Sequence, residues 1–311
     1  MSVRIVRSFQ GEGPVLYVCS TPIGNLGDTS HRLLEVLRTV DVVAAEDTRQ
    51  TRKLLTHFDI HPPLLISCHE HNQLARHKDF VRWWEEGKRI ALVSDAGTPL
   101  VSDPGDSVVQ LAIDSGIPVI PLPGASAVLA GLVGSGFSPQ PFTFIGFLPR
   151  EKRRAREVLE PYLGVPGTLV LYEAPHRLVQ TLKWIAEVCP DRAVTVAKEL
   201  TKRHETFYYA DSCVEMLGHF AEETPRGEYV VILGPRRSTD ADFGQQVGVD
   251  GVLAGEQRMD AAVERVQQLM REGIPHATAV KDVASQTGVR RKELYQRTLT
   301  PDTSSGGGEV D

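Results

Sequence analysis

A chain of 311 residues is long enough for two domains with cores of their own, and its 41% apolar content is that of an ordinary globular protein. Its net charge of −6 argues against indiscriminate nucleic-acid binding, which favours basic chains. The four cysteines, Cys19, Cys68, Cys189 and Cys213, form no C-x-x-C pair, so neither a disulfide framework nor a cysteine zinc site is expected, and a reducing cytoplasm fits.

Residues 1–14 read as a polar extension without an apolar targeting segment, and no later stretch approaches a membrane span. A soluble cytoplasmic protein is the expectation. Residues 15–20 read as a strand that runs into Thr21-Pro22-Ile23-Gly24-Asn25. Asp28, Thr29 and Ser30 cap a helix with Leu33, Leu34, Val36, Leu37 and Val40 on its buried side. A strand over 41–45 ends in Glu46-Asp47-Thr48-Arg49. A helix over 48–58, a strand over 64–67 and a helix over 72–86 follow. The apolar run 90–93 leads into the segment from Ser94 to Gly105, rich in Asp, Gly, Thr and Pro. A helix over 106–114 and a strand over 118–122 complete a first domain of residues 15–140. Such alternation gives a mostly parallel sheet with helices on both faces.

A second α/β domain spans 141–237. Its strands fall at 142–147, 168–173, 193–200, 206–210 and 228–234, and its helices at 151–163, 177–188 and 212–222. Several of these strands lie close in sequence, which makes the sheet mixed. Residues 238–257, rich in Gly, Asp and Gln, read as a flexible linker, and 301–311 as a disordered tail. Between them, 258–300 form a helical module with helices at 260–272, 276–286 and 290–299. The first places Ala261, Ala262, Val263, Val266, Leu269 and Met270 mostly on one face; the last turns Leu294 and Tyr295 inward. Helix, Gly288 turn and basic helix make a helix-turn-helix pattern, although docking on a neighbouring domain explains such a module equally well.

Three strands that each end in a polar, turn-forming cluster bring those clusters to one sheet edge. Open α/β sheets hold their ligands there. The clusters also carry a resemblance. Thr21 to Asn25, Ala45 to Arg49, Ser94 to Gly105 and the run Pro121-Leu122-Pro123-Gly124-Ala125-Ser126-Ala127 are similar to the tetrapyrrole methylase superfamily. Within it they most resemble the ribosomal RNA small subunit methyltransferase I family. The likeness continues through Gly146 to Pro149, Tyr172 to Arg177, Ala197 to Thr201 and Gly227 to Val231, and includes the C-terminal module. It implies two α/β domains with a cofactor cleft between them. It also implies methyl transfer from S-adenosyl-L-methionine to the ribose 2′-hydroxyl of a cytidine in small-subunit rRNA. A homodimer is the expected assembly.

Methyl transfer from a sulfonium is an in-line displacement, so the protein's main work is alignment. Pro22, Ile23, Gly24, Asp95, Gly97, Thr98, Pro99, Ser126 and Ala127 are the loop residues suited to hold the cofactor, and the resemblance adds Tyr172 and Ala197. Ser126 sits near a helix N-terminus, which favours the cofactor's carboxylate. No G-x-G-x-x-G phosphate fingerprint is present; Gly131, Gly134 and Gly136 are in the wrong order and read as packing and turn residues. A ribose hydroxyl is a weak nucleophile, so a base is expected. The candidates are Asp47 with Arg49, His69 or Glu70, and Lys198 with Glu199, each of which also reads as a surface ion pair or a polar loop residue. His69 and His71 lack a third ligand at recognisable spacing, and no metal is expected. For the RNA, Arg49, His69, Arg153, Arg177, Arg290, Arg291 and Lys292 are candidate contacts, the bland alternative being solvated helix faces. A tetrapyrrole or corrin-precursor methylase shares the core but has no use for the basic helical module. A noncatalytic RNA-binding protein leaves the ligand loops unexplained, and a nucleotide-binding protein lacks its Gly-rich loop.

Overall fold

The computed structural model describes residues 13–236, 249–287, 289 and 291–299. A first sheet contains β1 Val15–Cys19, β2 Val42–Ala45, β3 Leu64–Ser67, β4 Arg89–Val93 and β5 Val119–Leu122, in the order β3-β2-β4-β1-β5. Every neighbouring pair is parallel. The helices α1 His31–Thr39, α2 Thr48–His57, α3 Gln73–Glu85 and α4 Asp106–Asp114 connect the strands, and α5 Ala127–Gly134 leaves the last of them. Alternation along the pleat sends Val15, Tyr17 and Cys19 into one core with Leu33, Leu37 and Leu55. Leu16, Ile90 and Leu92 enter the opposite core with Phe80, Trp83, Trp84 and Val108. Each such large side chain contributes about 1.5–3 kcal/mol by leaving water. Ser30 caps α1 by accepting from the Leu33 amide at 3.1 Å. Asn25 caps a short 3-10 turn, Leu26–Asp28, which the sequence pattern does not announce.

The second sheet contains β6 Phe142–Phe147, β7 Thr168–Glu173, β8 Val194–Lys198, β9 Thr206–Ala210 and β10 Tyr229–Leu233, in the order β6-β7-β10-β8-β9. It is mixed, as its short connections predict: β6 and β7 are parallel and the other pairs antiparallel. α6 Lys152–Leu163, α7 Pro175–Val188 and α8 Cys213–Ala221 accompany it. α7 starts at Pro175, where the missing amide is one the first helical turn leaves unbonded in any case. β6 carries a bulge between Phe144 and Phe147, with Gly146 at φ +67°. An extra residue in a strand re-aims the side chains beyond it.

The two sheets meet through α5. Its Val128 and Leu132 pack with Val170, Val230 and Ile232 of the mixed sheet. A Cβ at Gly131 would lie 3.1 Å from Val230 Cγ1, and one at Gly134 would collide with the Phe207 ring. These two glycines serve close packing, and Gly136, at φ +78°, the turn that follows. Both sheets belong to one compact unit ending at Arg236.

A second compact unit follows. It holds α9 Val249–Arg271, α10 His276–Thr287 and α11 Arg291–Leu299 around Met259, Ala262, Val266, Ala279, Val280, Val283 and Leu294. α9 reaches back into the stretch read as linker, so residues 249–257 are helical. Gly251 and Gly255 weaken the helical signal there, yet extending a formed helix is cheaper than starting one. Two inward assignments fail. Ala261 and Met270 are exposed, and Tyr295 is exposed with its ring 4.6 Å from His276. The remaining linker, residues 238–248, the Gly288 turn, Arg290 and the tail 301–311 lie outside the described residues. No described helix is long and apolar enough to cross a membrane.

Candidate active site

Backbone and hydroxyl bonds lace three loops of the parallel sheet together at its carboxyl edge. Beyond β1, the Thr21 amide donates to the Gly97 carbonyl at 2.8 Å, and the Gly97 amide returns the bond at 3.0 Å. Gly97 adopts φ +79°, which costs a residue with a Cβ about 1 kcal/mol or more. Ser20 donates from Oγ to the Leu122 carbonyl and lies 3.0 Å from Thr98 Oγ1. Thr98 in turn donates to the Ala125 carbonyl at 3.2 Å. Ser126 caps α5, its Oγ accepting from the Leu129 amide.

These loops form one wall of a cavity of about 300 Å³, lined there by Ile23, Gly97, Thr98, Val101, Asp103 and Ser126, among others. Leu100 and Ser102 both sit in the left-handed region, at φ +72° and +71°. Strain of this kind collects at working sites, because only surrounding structure can hold it. The facing wall comes from the ends of the mixed-sheet strands: Phe147 of β6, Tyr172 and Glu173 of β7, and Tyr229 and Val230 of β10. Leu200 completes it from a loop in which Glu199 and Thr201 also have positive φ. The Thr201 hydroxyl is buried there without a hydrogen-bond partner.

Acidic groups dominate the electrostatics. Glu46, at the end of β2, accepts from the Asp95 amide, and Asp95, at the end of β4, accepts from the Asp47 amide. Burial pushes the Glu46 and Asp95 carboxyls up, with repulsion from Asp47 adding at both and repulsion from Asp95 adding at Glu46. Burial pushes Asp103 up to about 6 against a hydrogen bond from Ser94, with Glu46 and Asp95 contributing repulsion. Tyr172 is pushed up to about 12, chiefly by burial, with repulsion from Asp103 adding to it. Glu173 is fully buried, its carboxylate shared among the Arg177 guanidinium at 3.3 Å, the Thr181 hydroxyl and the Ala174 amide.

Of the residues singled out in the sequence as cofactor contacts, Ile23, Gly97, Thr98, Ser126, Ala127 and Tyr172 line the cavity. Pro22, Gly24, Asp95 and Pro99 are absent from its lining, and Ala197 is buried in the core beside Val230, its cross-strand partner. Asp47 and Arg49 form a local pair: the Asp47 carboxylate caps α2 by accepting from the Arg49 amide, and Arg49 grips it through Nε and Nη2. That hydrogen bonding holds Asp47 down to about 2. Glu199 bonds Lys202 at 3.0 Å and the Glu228 amide at 2.9 Å. Its partner is thus Lys202, and Lys198 simply ends β8.

Arg177 does not present its guanidinium outward as an RNA contact would require. It bonds Glu173 and the carbonyls of Leu148 and Pro149, because a buried carboxylate needs a buried counter-charge. Arg153 is exposed, within reach of Glu151 and Glu157. His69 lies in the loop after β3 with its Nδ1 buried and unpartnered. Arg290 lies outside the described residues, and Arg291 and Lys292 open α11, their side chains undescribed. Asp103, Phe147, Glu173 and Tyr229 lie within the segments Ser94 to Gly105, Gly146 to Pro149, Tyr172 to Arg177 and Gly227 to Val231, where nothing in the sequence marks them as site residues. The pocket-edge signal they share is that each stands at a strand end or in the loop just beyond one.

The chain matches the Tetrapyrrole (Corrin/Porphyrin) Methylases family over residues 15–211 and the RsmI C-terminal HTH domain over residues 257–301. It is 40% identical over 295 residues to a Bacillus subtilis protein named ribosomal RNA small subunit methyltransferase I, covering 94% of this chain and 97% of that one. A Synechocystis protein of the same name is 40% identical, covering 92% and 97%. Among solved structures, a uroporphyrin-III C-methyltransferase from Thermus thermophilus complexed with S-adenosylhomocysteine shares the fold, with TM-score 0.51 and 19% identity over 71% of this chain and 97% of that one.

Proposed function

The chain belongs to the ribosomal RNA small subunit methyltransferase I family of tetrapyrrole methylases, and from that premise we propose that its cavity takes S-adenosylmethionine and one nucleotide of small-subunit rRNA. The enzyme is an S-adenosylmethionine-dependent rRNA methyltransferase. The product we assign is a cytidine methylated on its ribose 2′-oxygen.

The residues present fit the cofactor. Ile23, Val101, Ala127, Leu200 and Val230 offer apolar walls for an adenosine, and the backbone at Gly97 can be approached closely. A Cβ there would meet Ile23 Cγ2 at 3.2 Å and narrow the cradle. The start of α5 at Ser126 and Ala127 suits a carboxylate. Bound S-adenosylmethionine supplies an electrophilic methyl group. The chain's own part is to hold the acceptor in line, exclude water and receive a proton. In this reading Thr98 and Tyr172 border the cofactor, while Pro22, Gly24, Pro99 and Asp95 shape the loops that carry it. Arg49, His69, Arg153, Arg290, Arg291 and Lys292 remain the candidate phosphate contacts. A homodimer, metal-independent chemistry and a cytoplasmic site of action complete the proposal.

One observation carries the reading above the rest. The loops that enclose the cavity are laced by their own hydrogen bonds in a chain that parallels its relatives almost end to end. Incubation with labelled S-adenosylmethionine and immature small subunits, naked rRNA or tetrapyrroles tests it. Methyl transfer to a ribose of small-subunit rRNA, located by mass mapping, is expected. A methyl on a base, or on a tetrapyrrole alone, overturns the assignment.

A further inference from the structure

None of the candidate bases read from the sequence, Asp47, His69, Glu70, Lys198 and Glu199, lines the cavity. Asp47 is clamped by Arg49 and lies low on the acid scale. Glu199 is occupied with Lys202 and the Gly227–Glu228 turn, and neither it nor Lys198 lines the cavity. Among the described residues, three carboxylates do line it: Asp103, Glu173 and Glu228. The oxygens of Glu173 are shared among Arg177, Thr181 and Ala174, and Glu228 reaches out to Lys202 at 2.8 Å with its side chain mostly exposed.

Asp103 is placed differently. It stands just beyond the strained turn at Leu100 and Ser102, where two consecutive alternate residues are held at positive φ. It is partly buried on the cavity wall, as is Tyr172. Among the described residues no ion pair engages its carboxylate, and the neighbouring Ser94 hydroxyl opposes the effect of burial on it. Resting on the reading of this site as a 2′-O-methyltransferase, we propose that Asp103 is the general base that takes the proton from the acceptor ribose hydroxyl.

In that step the electron pair of the O–H bond becomes the new oxygen–methyl bond. The proton passes to an Asp103 carboxylate oxygen, and the pair of the broken methyl–sulfur bond stays on sulfur. Water then takes the proton from the carboxylic acid. A base works best when its proton affinity lies near the working pH, and the surroundings of Asp103 bring it there. Burial raises it to about 6, Glu46 from β2 and Asp95 from β4 repel its charge, Ser94 opposes them, and Tyr172 is the titratable group it acts on from β7.

Single-turnover methylation of small subunits, measured against pH for wild type and Asp103→Asn, tests this, together with calorimetric binding of S-adenosylhomocysteine to both proteins. The wild-type rate should fall below about pH 6. Asp103→Asn should lose roughly 100-fold or more and that acid limb with it, while its affinity for S-adenosylhomocysteine stays within about threefold, which also shows the variant is folded. Asp103→Glu should restore part of the rate. A variant that keeps its rate and acid limb overturns the proposal. So does one whose rate recovers at saturating cofactor, because Asp103 would then be a cofactor anchor. A wild type that transfers no methyl to small-subunit rRNA breaks the reading of the site itself, a result visible before any variant is made.

Discussion

The two walls of the cavity are built by opposite means. The parallel sheet offers loops, in which Thr21 and Gly97 exchange backbone bonds and Ser20, Thr98 and Ala125 share hydroxyls and carbonyls. The mixed sheet offers side chains carried on strand ends, Phe147, Tyr172, Glu173 and Tyr229, steadied by partners behind them. One wall is made of short turn-forming segments that hydrogen bonds then tie together. The other exists only after distant strands have found their register.

That contrast can be broken most forcefully from behind the mixed-sheet wall. Arg177→Ala removes the counter-charge of fully buried Glu173, and should cost about 3 kcal/mol of stability in urea unfolding. A replacement of both residues by Glu173→Gln and Arg177→Met should recover much of it. If Arg177→Ala unfolds at the wild-type midpoint, the wall does not depend on the pair.

On the loop wall the effect should be on binding instead. Thr98→Arg fills the cavity and should weaken S-adenosylhomocysteine roughly 100-fold, about 2.7 kcal/mol, with a melting temperature near that of wild type. Unchanged affinity by calorimetry would place the cofactor elsewhere. A smaller effect should come from the bulge. Gly146→Ala puts a Cβ on a left-handed position and within 3.3 Å of Ser102 Oγ, and should cost about 1 kcal/mol, measurable as a lowered unfolding midpoint.

The smallest effect is electrostatic. Because the Asp103 carboxyl is raised in the folded state to about 6, folding favours its protonated form, and stability declines as pH climbs from the unfolded value to the folded one. Asp103→Asn escapes this, so it should melt about 1–2 °C above wild type at pH 8 and level with it near pH 4. An advantage that grew toward acid pH would contradict the sign.

The same contrast explains what is legible in the sequence. Thr21 to Asn25 and Ser94 to Gly105 announce a ligand edge because turn chemistry is local: Gly, Pro, Asp and Thr follow one another within a few positions. Phe147 is not legible as a cavity residue. Its direction depends on an extra residue in β6 that no periodicity reveals. Asp47 and Arg49 read as chemistry because two charges stand close together, yet a helix N-cap selects the same residue types. Arg177 reads as a phosphate contact because a positive charge in a polar motif shows nothing of the buried carboxylate one turn away. The alternation of the first five strands, and the mixed character of the second sheet, follow from connection lengths and are legible throughout.

The place of β10 bears on the order in which the molecule can be made. Among the described residues it is the last strand in the chain and the central one in its sheet, buried along its whole length between β7 and β8. Until Leu233 has emerged during synthesis, β6–β7 and β8–β9 are separate ribbons, each with an open edge. The residues that follow Arg236 are added at roughly 5–20 per second. Their addition gives the late strand time to insert while the nascent chain is still tethered. A premature stop a few codons before Tyr229 would therefore release two sticky half-sheets rather than a slightly shortened enzyme.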